Sequence, residues 1–146
     1  MASDLKIDID NVRLNIRVGV IIRHNDDFII EISKEGRNSV IPGGRIKINE
    51  DSKSAIVREL KEEMNFDVDK SRLKQLNVFE NFFVYDKKDT HELFFLYEYI
   101  LSEEEFANLK VEQNYDSQTT YFTYIPKYDL DKYNLLPIEL HEIIRG

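Results

Sequence analysis

The chain has 146 residues, with 28 acidic and 20 basic side chains and a formal net charge of −8. This length fits one domain, which we take as 1–146. The acidic balance excludes a non-specific nucleic-acid binder and docking on anionic membranes, because both need a basic face. The absence of cysteine excludes disulfides, thiolate metal sites and cysteine nucleophiles. We therefore expect a cytoplasmic protein without nucleic-acid or membrane partners.

The N-terminal part of the chain shows the two-residue period of β-strands. Apolar residues alternate over 14–22 and again over 28–32, and the polar residues 25–27 between them predict a hairpin turn. Residues 39–42 form a short extended segment. The glycines at 43–44 then predict a loop in which the backbone folds tightly or approaches a ligand.

A helix is predicted over 52–64, where Asp51 and Ser52 are both suitable N-caps. The rest of the chain predicts two long strands joined by a turn at 86–89, a short acidic turn or helix, a third strand and a final helix. Their ranges are 73–85, 91–101, 102–109, 119–125 and 137–144. Both alternating faces of the strand at 91–101 are largely apolar, so it should lie centrally and be covered on both sides. These elements predict a sheet sandwiched between helices.

The predicted helix at 52–64 carries three clustered acidic residues. Glu59, Glu62 and Glu63 are spaced i, i+3 and i+4, so they share one face and repel one another. They also lie toward the C-terminal half of the helix, where the helix dipole disfavours anions. A hard cation such as Mg²⁺ would compensate for this charge. The alternative is a solvated acidic face that is partly neutralised by Arg58 and Lys61.

The spacing of residues around this helix carries a specific resemblance. The matching positions are Gly44, Glu50, Arg58, Glu59, Leu60, Glu62 and Glu63, preceded by Pro42-Gly43. In this pattern the sequence closely resembles the Nudix hydrolase family (MutT-like). Asn65 stands where the family has glycine, but asparagine is the next most tolerant residue in the left-handed conformation. Phe66 is bulkier than the usual aliphatic residue and remains apolar.

The resemblance implies an α+β fold, the Nudix αβα sandwich with a mixed central β-sheet between helices. It also implies a pyrophosphohydrolase that uses Mg²⁺ or Mn²⁺ to cleave a diphosphate bond in a small nucleotide or nucleoside diphosphate derivative. The implied metal-binding residues are the Gly44 carbonyl, Glu59, Glu62 and Glu63. Glu50 would brace the loop by pairing with Arg58, outside the metal's own ligands.

The remaining site residues are less constrained by the pattern. The general base is Glu62 or Glu112, with Glu80 a weaker candidate, and Glu112 is equally well explained as a solvated loop acid. Arg17 and Arg45 are candidate phosphate contacts, because a guanidinium suits phosphate oxygens, although each could equally be a surface ion pair.

Three aromatic residues, Phe82, Phe83 and Tyr85, could stack on a base, but aromatic residues in a strand are more often core. No sequence marker selects one substrate. The alternative function is a non-catalytic nucleotide sensor on the same fold, against which the intact carboxylates argue. A prenyl diphosphate isomerase on this fold would need a cysteine. The aromatic strands near the C-terminus offer a surface for a homodimer.

Overall fold

The structure is a computed structural model that describes residues 2–36 and 38–146. Its strands are β1 (Lys6–Ile9), β2 (Val12–His24), β3 (Asp27–Ser33), β4 (Ser39–Val40), β5 (Gly43–Arg45), β6 (Lys74–Tyr85), β7 (Lys88–Ile100) and β8 (Thr120–Pro126). Its α-helices are α1 (Ser52–Met64), α2 (Glu103–Asn108) and α3 (Leu140–Arg145), and 3₁₀ turns lie at Lys70–Arg72 and Lys127–Lys132. Within the described residues, no helix is long and apolar enough to cross a membrane.

The strands form one mixed sheet. Its main order is β4-β3-β2-β7-β6, and β1 and β5 pair with β2 while β8 pairs with β3. Among the strand pairs in the described part of the chain, β2–β7 is the parallel one, and it runs from Val12 opposite Asp89 to Arg23 opposite Ile100. The remaining strand pairs are antiparallel. The predicted mixed sheet is therefore confirmed.

Two apolar cores lie on opposite faces of this sheet, as the sandwich prediction requires. The first packs α1 residues such as Leu60 against Val20 and Tyr97. The second packs Leu140 of α3 against Leu96 and neighbouring residues. Because Tyr97 and Leu96 are consecutive in β7, this strand contributes to both cores, and the prediction of a central strand covered on both sides is confirmed.

Local side-chain chemistry fixes both ends of α1. The Asp51 carboxylate accepts a hydrogen bond from the Ser54 backbone N–H at 2.8 Å, which caps the first turn. Asn65 ends the helix in the left-handed conformation with φ 52°, and the Phe66 N–H donates to the Leu60 carbonyl at 3.2 Å. This is the glycine-type helix ending that the sequence predicted asparagine would tolerate.

A polar network joins β7 to α2 beneath the first core. The buried Tyr99 hydroxyl donates to Glu105 at 2.6 Å and accepts from Arg72 at 2.9 Å and from the Asp69 N–H at 3.2 Å. Burial would raise the pKa of Glu105, but hydrogen bonds from Arg72, the Ser102 N–H and Tyr99 outweigh it and lower that pKa to about 2. The ionised Glu105 therefore stabilises this packing.

Several elements differ from the sequence prediction. The Gly43-Gly44 segment is predicted as a loop but forms β5, because its backbone pairs with β2 at Gly19 and Val18. Strand β1 has no counterpart in the prediction. The final helix begins at Leu140 rather than Pro137, and the Leu140 N–H instead closes a turn onto the Pro137 carbonyl at 3.1 Å.

The end of the β6–β7 hairpin also differs from expectation. The turn is tighter than predicted, because Asp86 and Lys87 both adopt positive φ and connect the strands directly. Phe82 and Tyr85 were expected to lie in the core, but they are 70% and 62% exposed. Both lie toward the turn end of β6, the last strand of the sheet order, where these side chains are left largely uncovered.

Candidate active site

Strand β5 brings Gly44 against the acidic helix α1. Gly44 is paired with Val18 of β2, which fixes its position in the sheet. A Cβ atom added to Gly44 would lie 2.5 Å from the carboxyl carbon and from one carboxylate oxygen of Glu59. Only glycine leaves room for this carboxylate, so Gly44 and Glu59 lie side by side.

Arg58 holds the loop before α1 and the acidic face together. Its guanidinium donates to both Glu50 oxygens, at 2.8 and 2.9 Å, and to Glu59 at 2.8 Å. It also donates to the Arg45 carbonyl at 3.0 Å. Glu50 additionally accepts from the Lys47 N–H at 3.0 Å, and the hydrogen bonds from Arg58 hold the pKa of Glu50 below its ordinary value. The expected Glu50–Arg58 pairing is therefore observed.

Glu63 is the buried acid of the site. Its residue is only 8% exposed, and its Oε2 atom has no hydrogen-bond partner within the described structure. Burial, followed by the nearby carboxylates of Glu59, Glu31 and Asp116, raises the pKa of Glu63 well above its ordinary 4.5. A buried acidic oxygen among other carboxylates is unfavourable unless a proton or a cation shares the site.

Two of the acids near Glu63 were not identified from the sequence. Glu31 lies in β3, where its carboxylate accepts from Thr120 at 2.8 Å and from the buried Asn114 at 3.0 Å. Asp116 lies in the loop before β8, and the neighbouring Tyr115 N–H donates to the Glu63 carbonyl at 2.8 Å. Glu31 interrupts an apolar strand, FIIEI, which is the one signal that could have indicated it.

The two candidate bases lie in different surroundings. Glu62 is half-exposed on α1, and its Oε2 lies 3.5 Å from Arg58 Nη1, next to the Glu59 contact. Glu112 is exposed and lines an open cavity of about 590 Å³ formed by the loop before β8. Asp116, four residues after Glu112 in the same loop, is the acid whose charge helps to raise the pKa of Glu63. Glu80 pairs with His91 at 3.6 Å at the outer edge of the sheet.

The chemistry of this donor set suits a hard divalent cation. The carboxylates of Glu59 and Glu63 lie together, and one oxygen of Glu63 is buried without a partner. Across residues 2–36 and 38–146, no three acidic or histidine side chains stand in a complete metal-ligand group. Mg²⁺ is usually held by one or two carboxylates together with water and phosphate oxygens, so this set is compatible with it.

The two predicted phosphate-binding arginines are cross-strand neighbours. Arg17 of β2 pairs in register with Arg45 of β5. Arg17 lies 3.7 Å from Glu92, and Arg45 donates to the side chain of Asn15 at 3.1 Å. Arg17 also lines a cavity of about 620 Å³ whose walls include Ile41, Phe83, Phe94 and Ile138. The apolar cavity therefore begins at Arg17, the residue next to Val18, which pairs with Gly44.

The chain is similar to known proteins in sequence pattern and in fold. The NUDIX domain model matches residues 13–125. A MutT protein from Bacillus halodurans has a TM-score of 0.69 at 14% identity, over 90% of this chain and 80% of that one. A MutT NUDIX hydrolase from Burkholderia pseudomallei has a TM-score of 0.64 at 16% identity, over 90% of this chain and 95% of that one. An Ap4A hydrolase from Caenorhabditis elegans has a TM-score of 0.59 at 17% identity, over 90% of this chain and 94% of that one. No curated protein matches the chain.

The family match includes most of the chain and all of the acidic residues of α1. The chain therefore belongs to the Nudix family, and its class is that of the Nudix hydrolases, which are pyrophosphohydrolases. At 14–17% identity the solved structures establish the shared fold.

Proposed function

We propose that this protein is a Mg²⁺- or Mn²⁺-dependent hydrolase that cleaves the diphosphate bond of a small nucleotide or nucleoside diphosphate derivative. The observation that carries this proposal is Glu63, an acid buried among other carboxylates with one oxygen unpartnered. A protein that only bound nucleotide would have no need to maintain this unfavourable cluster.

The residues that would hold the cation are Glu59 and Glu63, with Glu62 and the Gly44 carbonyl beside them. A bound Mg²⁺ neutralises charge on phosphate oxygens and makes water a better nucleophile. Glu50 and Arg58 would not contact the cation. They support this site because Arg58 joins the loop to Glu59 through hydrogen bonds of 2.8 to 2.9 Å.

The chain's other residues would orient the substrate and move the proton. We assign the proton acceptor to Glu62 rather than Glu112, because Glu62 lies on α1 beside the Glu59–Arg58 contact. Arg17 and Arg45 would bind phosphate oxygens at the junction of β2 and β5. The apolar cavity beside Arg17 would hold the base, with Phe83 and Phe94 available for aromatic contact.

The test is a panel of nucleotides assayed for phosphate or pyrophosphate release with Mg²⁺ and with Mn²⁺. At least one nucleotide should be hydrolysed, and EDTA should abolish the activity. Glu63→Gln should reduce turnover at least a hundredfold, since losing a preorganised charged group costs this much or more. Glu142→Gln is the matched control, because Glu142 is an exposed acid on α3 and should be neutral.

Two further variants test the proton acceptor. Glu62→Gln should lower kcat and flatten its dependence on pH, whereas Glu112→Gln should leave both unchanged. The reverse result would assign the base to the loop before β8. If nucleotides bind tightly in calorimetry and none is hydrolysed with either cation, the protein is the non-catalytic sensor instead.

A further inference from the structure

One buried amide lies in the loop between α2 and β8. Asn114 is only 6% exposed, although the residues on either side of it, Gln113 and Tyr115, are exposed. Asparagine is usually a surface residue, and burying its amide is costly unless the donors and the acceptor are hydrogen-bonded. We therefore looked for the partners that hold the Asn114 side chain inside the protein.

The amide nitrogen of Asn114 joins the loop to the sheet. It donates to the Glu31 carboxylate at 3.0 Å and to the Thr120 hydroxyl at 3.0 Å. The same hydroxyl donates to Glu31 at 2.8 Å. Because an ionised carboxylate can only accept, these contacts fix which end of the amide is the nitrogen. The three side chains thus form a closed ring of hydrogen bonds that connects the loop, β8 and β3.

The amide oxygen of Asn114 fixes the residues that follow it. It accepts from the Asp116 backbone N–H at 2.9 Å, which is the local turn that asparagine forms with the residue two positions on. The intervening Tyr115 N–H donates to the Glu63 carbonyl at 2.8 Å. The loop is therefore attached both to Glu31 in the sheet and to the end of α1, and Asp116 follows directly after these two attachments.

These attachments determine where the charge of Asp116 lies. Asp116 is close enough to Glu63 for its charge to help raise the pKa of that buried acid. Within the described structure the Glu63 Oε2 atom has no hydrogen-bond partner, and a cation bound there would be stabilised by a further negative charge nearby. Asp116 itself is exposed, so without the contacts of Asn114 its backbone would have many conformations to choose from.

We propose that Asn114 is a positioning residue for the cation site: it holds the loop so that the Asp116 carboxylate adds its charge beside Glu63. Asp116 would act from outside the cation's own ligands, and this inference rests on the proposed cation site at Glu59 and Glu63. A fixed charge at the edge of a site strengthens binding through its field and needs no direct contact. The affinity for Mg²⁺ should therefore depend on an amide that never touches the cation.

Hydrogen exchange and Mg²⁺ binding test the two steps of this proposal separately. In the cation-free protein, Asn114→Ala should speed exchange of the Tyr115 and Asp116 amides by about tenfold or more in NMR, and leave the β2–β7 pair protected. Calorimetry should show Mg²⁺ binding weakened by at least about fivefold, the scale of one charge acting at short range. Gln118→Ala is the matched control, because Gln118 is an exposed amide in the same loop, and it should change neither measurement.

Asp116→Asn separates positioning from the general stability of the loop. Because Asp116 is exposed, this variant should be folded and keep slow exchange of the Tyr115 amide, yet bind Mg²⁺ as weakly as Asn114→Ala does. Combining the two substitutions should weaken binding no further, since both remove the same charge from the site. An additive double variant, or unchanged Mg²⁺ affinity in Asn114→Ala, would overturn this proposal alone. A wild type that binds no Mg²⁺ would refute the cation site as well.

Discussion

Replacing Gly44 by alanine should disturb the geometry of the site while leaving the stability of the fold nearly unchanged. The added methyl carbon would lie 2.5 Å from the Glu59 carboxyl carbon and 2.5 and 2.7 Å from its two oxygens. Non-bonded carbon atoms prefer about 3.5–4.0 Å, so the Glu59 carboxylate has to move by about 1 Å. It is able to do so, because it is the end of a flexible side chain.

The expected effect follows from this displacement. A misplacement of about 1 Å in a catalytic group costs about a hundredfold in rate, or about 2.7 kcal/mol of transition-state stabilisation. The free energy of unfolding should change by less than about 1 kcal/mol, because removing a glycine also restricts the unfolded chain. Gly44→Ala should therefore be folded and nearly inactive.

Gly43→Ala provides the contrast. Its methyl carbon would lie 2.0 Å from the Val18 carbonyl oxygen, which is backbone and can move only if β2 and β5 separate. This variant should lose about 1–3 kcal/mol of stability, as overpacked cores do. Urea unfolding measures the stability of both variants, and kcat/KM on the best nucleotide of the panel measures activity. The reasoning is refuted if Gly44→Ala retains activity within twofold of wild type, or is destabilised as much as Gly43→Ala.

Three further predictions concern charged groups. Arg58→Ala leaves Glu50 and Glu59 without their shared partner, so it should cost about 3 kcal/mol in urea unfolding, and an unchanged midpoint would contradict this. Glu63 has a raised pKa, so wild-type stability in EDTA should fall as pH rises above 4.5. Glu63→Gln should lack this fall in thermal melts, and Mg²⁺ should raise the melting temperature of the wild type only. Glu105→Gln should destabilise by about 2 kcal/mol at neutral pH, after allowing for partial exposure of its partner. Because the pKa of Glu105 is lowered from 4.5 to about 2, this difference should vanish as pH falls through that range, and persistence of the difference at pH 2 would contradict it.

Local patterns in the sequence were sufficient to predict a feature wherever that feature depends on residues close together in the chain. The helix over 52–64 follows from its cap, its periodic apolar residues and the asparagine that ends it. The Glu50–Arg58 pair follows from the motif, because eight residues separate two oppositely charged side chains across one loop and two helical turns. The alternation in the strands also distinguishes the two faces of β7.

Contacts between distant segments could not be read from any local pattern. Asp116 approaches Glu63 only because the loop before β8 folds back onto the end of α1, and Glu31 faces the same acid only through the order of strands in the sheet. The exposure of Phe82 depends on what packs against this end of β6, which the strand's own sequence does not specify. The sequence by itself determined the acidic helix and its chemistry. The tertiary structure decided which other acids surround Glu63 and which apolar side chains remain exposed, because both depend on packing between segments far apart in the chain.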